Sequence, residues 1–358
     1  MIPPLSSSYV DARAAFLVAA EAAGARIESH PHPQLGLEGE PLFVDVAELG
    51  RADAASVVLV VSGTHGVEGY CGSALQRHHL HLLADAYDPA TAPALVFVRA
   101  LNPYGMSWVR RVNEDNIDLN RNFVDWTRPT PRNDDYTRLA DLLVPAMWTA
   151  AEQERTLLAL LGEVQTLGME RMQQIVQGGQ FEHPTGLFYG GTGPTWSHRW
   201  LREFAAGRLA AAQRVTVVDL HTGLGPWGHG SLLSSSPRGT ASFDRQVAWW
   251  GDVTADDAAE SVSADVAGGW LSVVDSFAPR AEVTEICIEY GTVDPITVLQ
   301  GLRADAVLHA HGDPAGPEAG AVRAQVRGAF ADDDPSWLAA CWPRYEQVLG
   351  AAIEQLSH

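Results

Sequence analysis

The sequence predicts an α/β fold, a mostly parallel, doubly wound and mixed sheet with helices on both faces. Three observations lead there. Continuous apolar runs such as Ser56-Val57-Val58-Leu59-Val60-Val61 suit strands buried on both faces of a sheet. Helical patterns separate these runs, and strands alternating with right-handed crossover helices build a parallel sheet. Each run also ends directly in glycines and polar side chains, as expected where an open α/β sheet places its ligand crevice.

The elements follow in order. Residues 7–24 form a helix closed by Gly24, where a glycine takes the left-handed cap. Pro41 to Val46 is β-type. The 56–61 strand stops at Ser62-Gly63-Thr64-His65-Gly66, and a crossover helix runs from Val67 to about Ala84. A second strand, Ala94 to Val98, enters Asn102-Pro103-Tyr104-Gly105 and a polar loop reaching Phe123. Tyr136 to Gly178 is helical, Gly178 to Pro194 is a loop rich in Gly, His and aromatics, and Thr195 to Leu209 is helical again. A third strand, Val215 to Leu220, stops at His221-Thr222-Gly223; a fourth, Val283 to Glu289, stops at Tyr290-Gly291-Thr292. Late helices cover Pro295 to His309, Pro317 to Gly328 and Trp337 to Leu356. There is no internal repeat.

With 46% apolar and 19% charged residues among 358, the chain can bury a large core, and a single domain spanning 1–358 is expected. The net charge of −20 argues against nucleic acid or an anionic membrane as partner, since phosphate binding needs a basic face. All 24 basic residues are arginines. That excludes a Schiff-base lysine, a pyridoxal lysine and a Walker phosphate loop. Cys71, Cys287 and Cys341 are too few and too scattered for a disulfide framework or a cysteine-rich zinc site. The N-terminus has no signal-peptide pattern and no apolar run reaches membrane-spanning length, so a cytoplasmic location is expected. No Gly-x-Ser-x-Gly elbow occurs, and Cys71 has no base nearby in sequence, which disfavours serine and cysteine nucleophiles.

Four polar clusters sit where four predicted strands end: His65 with Glu68, the 102–122 loop, His221, and Glu289. A loop that opens a helix brings an imidazole and a carboxylate three residues apart toward one point. With His221 they make a His-Glu-His set, a known catalytic zinc shell that leaves the fourth position for water. One Zn2+ per chain is the expected cofactor.

The order of motifs carries a resemblance. Asn102-Pro103-x-Gly105, Arg111 and Asp118-Leu119-Asn120-Arg121-Asn122-Phe123, with His65-x-x-Glu68 before them and Asp219-Leu220-His221 and Ile288-Glu289 after, resemble the zinc carboxypeptidase-like superfamily. That superfamily includes the carboxypeptidase A and the succinylglutamate desuccinylase–aspartoacylase types, and the latter's Glu-x-Gly segment is similar to Glu289-Tyr290-Gly291. The resemblance spans roughly residues 55–295. It implies that His65, Glu68 and His221 hold zinc, which lowers the pKa of bound water and polarises a carbonyl. It also implies that Glu289 is the general base and that Arg111 faces the developing oxyanion. Asn120 and Arg121 would grip a substrate carboxylate with a guanidinium fork, and Asp118 is a candidate acceptor for a ligand imidazole. Glu289 is preferred over Glu285, four residues earlier on the same strand face, because it directly precedes the strand exit. Arg110 is expected to be a solvated surface residue near Glu114 and Asp115.

The implied activity is hydrolysis of an amide bond next to a free carboxylate, by a metallocarboxypeptidase or a small-molecule N-acyl-amino-acid deacylase; the partner is a small-molecule or short-peptide substrate. Glu68 and His221 stand 153 positions apart, longer than in compact relatives. The excess predicts a helical insertion at about 128–210 that walls the pocket, with His183 and Tyr189 as its candidate pocket residues. The tyrosine that carboxypeptidases place over the scissile bond has no assigned counterpart; Tyr189 and Tyr290 are candidates that read better as packing. Two other classes stand beside this reading. One is a catalytically silent carboxylate binder, against which the base Glu289 argues; the other is a two-metal hydrolase, which needs further ligands near His65.

Overall fold

The computed structural model describes residues 2–255 and 266–357. Its strands are β1 (Arg26–Leu35), β2 (Pro41–Leu49), β3 (Ser56–Ser62), β4 (Ala94–Arg99), β5 (Arg214–Trp227), β6 (Gly230–Ser234), β7 (Val253–Ala255) and β8 (Glu282–Gly291). They form one sheet in the order β1-β2-β4-β3-β5-β8-β6-β7. The central strands β4, β3, β5 and β8 are mutually parallel. β1 and β2 extend the sheet antiparallel on one side; β6 pairs antiparallel to β8 and parallel to β7 on the other. The α/β class with a mixed, largely parallel centre is therefore as the sequence predicts.

The helices are α1 (Tyr9–Ala22), α2 (Gly69–Ala86), α3 (Pro103–Trp108), α4 (Asp134–Leu143), α5 (Ala150–Leu167), α6 (Met169–Gln177), α7 (Trp196–Arg208), α8 (Ala241–Trp250), α9 (Pro295–His311), α10 (Ala319–Phe330) and α11 (Pro335–Leu356). Several begin where a side chain takes over an orphan backbone N–H: Ser8 on Asp11 N, Asn133 on Tyr136 N, Thr149 on Glu152 N and Thr195 on His198 N.

Period-2 alternation explains how both sheet faces are covered. In β3, Val58 and Val60 pack with Phe16, Leu75, Trp337 and Val348 of α1, α2 and α11. Val57, Leu59 and Val61 face the other way, onto Leu201 and Leu209 of the α7 region and onto Phe277. A third apolar cluster joins α4, α5 and α6 to Val298 and Leu302 of α9 and Phe330 of α10. It sits beside the C-terminal ends of the parallel strands.

Several elements differ from the sequence reading. β1 is an edge strand with an exposed, proline-bearing sequence, Arg-Ile-Glu-Ser-His-Pro-His-Pro-Gln-Leu, and proline is tolerated only at such edges. β6, α8 and β7 are short additions that carry no long apolar run. The helical stretch after Tyr136 is three helices, interrupted at Val144 and at Gly168, whose φ is +84°.

Candidate metal centre and its cleft

Parallel strands deliver the three candidate ligands to one end of the sheet. His65 and Glu68 follow β3, with Glu68 in a 3-10 turn over Gly66–Glu68 that leads into α2. His221 lies in β5, where its Cα pairs with that of Glu289 on β8. All three ligand side chains are buried, and their ligating atoms lie within 4.8 Å of one another. His65 Nδ1 is 2.9 Å from Glu68 Oε1 and 3.1 Å from His221 Nδ1, and His221 Nδ1 is 3.0 Å from Glu68 Oε2.

The far side of each ring decides what this cluster can hold. His65 Nε2 is 3.1 Å from Asp118 Oδ1, and His221 Nε2 is 2.6 Å from Asp219 Oδ2. An imidazole that donates its Nε2–H to a carboxylate presents the Nδ1 lone pair on its other side. Two such lone pairs and the Glu68 carboxylate converge on one point with a surplus of acceptors. A divalent cation fits that donor set, and nitrogen–nitrogen–oxygen ligation suits zinc.

The local charges respond to this crowding. Burial penalises the Glu68 carboxylate, but the His65 and His221 imidazoles outweigh it and hold Glu68 below the usual carboxylate range. Burial likewise opposes charge on Asp118, yet Arg111, His65 and Arg121 hold it well below its ordinary value. Burial pulls His221 down, and Asp219 and Glu68 more than reverse this. Glu289 moves the other way. Burial and the nearby negative charge of Glu68 push its carboxyl up to about 7. Its Oε1 accepts from Leu224 N at 3.0 Å.

Glycines make the loops fit. Gly66 packs against the backbone of Gly105 and Met106 so closely that a Cβ there would overlap Gly105. Gly66 N and Val67 N donate to the carbonyls of Arg111 and Arg110 at 3.1 and 2.9 Å, lacing the two loops together. Asn102 caps α3 by accepting from Gly105 N, with Pro103 in the first turn, as the fixed φ of proline favours.

The cleft encloses about 840 Å³ including its open mouth. His65, His221 and Glu289 line it, as do Arg111, Asn120 and Arg121; Glu68 lies beneath and is 1% exposed. Arg111 donates to Glu68 Oε1 and Asp118 Oδ2, both at 3.0 Å. Arg121 is held by the carbonyls of Gln177 and Asn120, and Asn120 Oδ1 accepts from Trp270 N at 3.3 Å. The rival Glu285 is buried among Ser234, Ser236 and Gln246, which bond its Oε1.

Arg110 is not a solvated surface residue. It is 2% exposed, its Nε reaches both oxygens of Asp305 at 3.1 and 3.0 Å, and its Nη2 donates to Asn116 Oδ1. The sequence showed only nearby acids; the partner comes from α9, 195 positions away. From the 178–194 loop, Phe188 rather than His183 or Tyr189 borders the cleft, together with Gln177 of α6. His183 bonds Thr137, and Tyr189 is buried with its carbonyl accepting from Asp118 N. Tyr290 is fully buried in the sheet core.

Two contributors escaped sequence reasoning. Asp219 holds His221, and Trp270 Nε1 donates to the same Asp219 oxygen at 2.6 Å. Strand alternation puts residues 219 and 221 on one face, a signal available in the Asp-Leu-His triplet. Trp270 had none.

This architecture is a zinc carboxypeptidase-like fold. Bovine thrombin-activatable fibrinolysis inhibitor, solved with tick carboxypeptidase inhibitor, superposes with a TM-score of 0.53 at 11% identity, covering 98% of this chain and 96% of that one. Carboxypeptidase A from Helicoverpa armigera gives a TM-score of 0.49 at 13% identity over 91% and 74% of the two chains. Succinylglutamate desuccinylase from Chromobacterium violaceum gives 0.39 at 14% over 92% and 75%. Within that fold the chain belongs to the family described as Protein of unknown function (DUF2817), which matches residues 5–344. Comparison with curated proteins gives no match. Among the described residues no helix is long and apolar enough to cross a membrane.

Proposed function

We propose that the protein is a cytoplasmic zinc-dependent hydrolase that cleaves an amide bond adjacent to a free carboxylate, as a metallocarboxypeptidase or a small-molecule N-acyl-amino-acid deacylase does. The observation that carries this reading is the convergence of His65 Nδ1, His221 Nδ1 and the Glu68 carboxylate, each ring braced from behind by an aspartate. His65, Glu68 and His221 would hold the ion. When bound, zinc supplies a Lewis acid and lowers the pKa of coordinated water.

The remaining work falls to the chain. Glu289, whose side chain lines the same cleft as His65 and His221, takes a proton from the attacking water and returns one to the departing nitrogen. Arg111, already beside Glu68, offers a fixed positive charge to the oxygen that becomes anionic. Asn120 and Arg121 line the same cleft and take the substrate carboxylate. The substrate is a small molecule or short peptide, with no nucleic acid or membrane partner. One domain carries the activity, and the helical insertion at about 128–210 narrows the entrance.

The test is metal analysis joined to a substrate screen of N-acyl amino acids and short peptides. One equivalent of zinc, with turnover lost to a chelator and to Glu289→Gln, is the expected result. A chain that binds carboxylates without zinc and without turnover is a binding protein, and overturns the proposal.

A further inference from the structure

Phe188 packs against both arginines of the cleft. The Arg111 guanidinium carbon is 5.4 Å from the centre of its ring and that of Arg121 is 5.2 Å, both inside the range in which a cation is attracted to an aromatic face. The ring is 7% exposed and borders the cleft. Its backbone is the unexpected part: φ is +53°, a left-handed conformation that is uphill for a residue with a Cβ. Glycines fill left-handed positions on both sides of it, at Gly179 and Gly191. A phenylalanine is thus kept at a position whose backbone favours glycine.

The surrounding hydrogen bonds fix that backbone. Gln180 N donates to the Phe188 carbonyl, Gly190 N to the Gln180 carbonyl, and Asp118 N to the Tyr189 carbonyl at 2.8 Å. Asp118 also pairs with Arg111 at 3.0 Å and lies 3.9 Å from Arg121. Two guanidiniums therefore share one carboxylate on one side and one aromatic ring on the other. Two like charges on one buried wall repel, and the shared Asp118 carboxylate and the polarisable ring offset that repulsion.

We infer that Phe188 is a positioning residue that fixes the spacing of the Arg111 and Arg121 guanidiniums, and so sets how tightly the cleft holds a carboxylate ligand. It rests on the carboxylate-directed reading of the cleft given above. A leucine at this position keeps apolar bulk and a comparable backbone cost but has no π-face, whereas tyrosine keeps the face.

The test uses the full-length, zinc-loaded protein with N-acetyl-L-leucine as probe, binding being measured by calorimetry alongside zinc content and melting temperature. Phe188→Leu is expected to weaken binding about tenfold as the guanidiniums lose their fixed spacing, with zinc content preserved and melting temperature lowered only by a few degrees, about the loss of one cation–π contact. Phe188→Tyr, which keeps the π-face, should restore near-normal binding. Wild-type affinity in Phe188→Leu, or an equal loss in Phe188→Leu and Phe188→Tyr, overturns the inference and leaves Phe188 as packing. Should the wild type bind neither this probe nor a dipeptide, the carboxylate reading itself fails, and the inference with it.

Discussion

Replacing Asp219 by asparagine separates the charge of this residue from its shape. Three donors meet its carboxylate: Thr64 Oγ1 at 2.9 Å on Oδ1, and His221 Nε2 and Trp270 Nε1, both at 2.6 Å, on Oδ2. In Asp219→Asn the amide oxygen can keep the two ring N–H donors while the amide nitrogen turns to Thr64, whose hydroxyl can accept instead. The fold should survive with little change in melting temperature. What is lost is the negative charge that makes His221 a strong donor toward a metal. Loss of such an outer partner typically weakens metal binding about 10- to 100-fold, or about 1.4–2.7 kcal/mol. Competition against a chromophoric zinc chelator measures this directly, with melting of the metal-free protein as the control. Asp219→Ala should instead leave the buried Trp270 N–H without its acceptor and cost about 1–3 kcal/mol of stability. A zinc affinity within twofold of wild type for Asp219→Asn would refute the bracing role.

Further outcomes follow from the same structure. Gly66→Ala forces a methyl into the Gly105 backbone and should cost about 3 kcal/mol, read as a lower denaturant midpoint together with weaker zinc binding. Asp305→Ala strands the buried Arg110 guanidinium and should destabilise by about 3–5 kcal/mol; double substitution with Arg110→Met should recover part of that loss. Burial, the largest effect on each, pulls His79, His198 and His309 down to about 4. Free histidines titrate near 6.5, so the unfolded chain gains protons first as pH falls. Unfolding free energy should be insensitive to these groups above about pH 6.5 and decline progressively toward pH 4. Because Glu289, raised to about 7, acts in the opposite sense over the same window, the comparison is made in Glu289→Gln, where equal urea midpoints at pH 7 and pH 5 would contradict this.

The fold was legible where apolar runs were long and uninterrupted. β3, β4, the core of β5 and β8 sit where their valines and isoleucines put them, because strands buried on both faces leave no polar alternation to misread. β1 was hidden by its prolines and exposed side chains, and β6 and β7 by their brevity. At the site, the spacing of His65, Glu68 and His221 was readable since each follows a strand end, and the structure brings them together. Partners supplied from far along the chain were not readable. Asp305 reaches Arg110 from α9, Trp270 reaches Asp219 from a separate segment, and Phe188 reaches both arginines from the return loop of the helical excursion. Nothing local in the sequence encodes those encounters.

The return loop is stitched to the arginine-bearing loop at many points. Asn116 Nδ2 bonds the carbonyls of Pro184 and Gly186, Asn122 Nδ2 those of Gly190 and Gly193, and Arg121 that of Gln177. The excursion is therefore no detachable ornament. Shortening the chain between Asn133 and Thr195 would pull out the very carbonyls on which Asn116, Arg121 and Asn122 rest, so a minimal version of this protein must retain both roots of that segment.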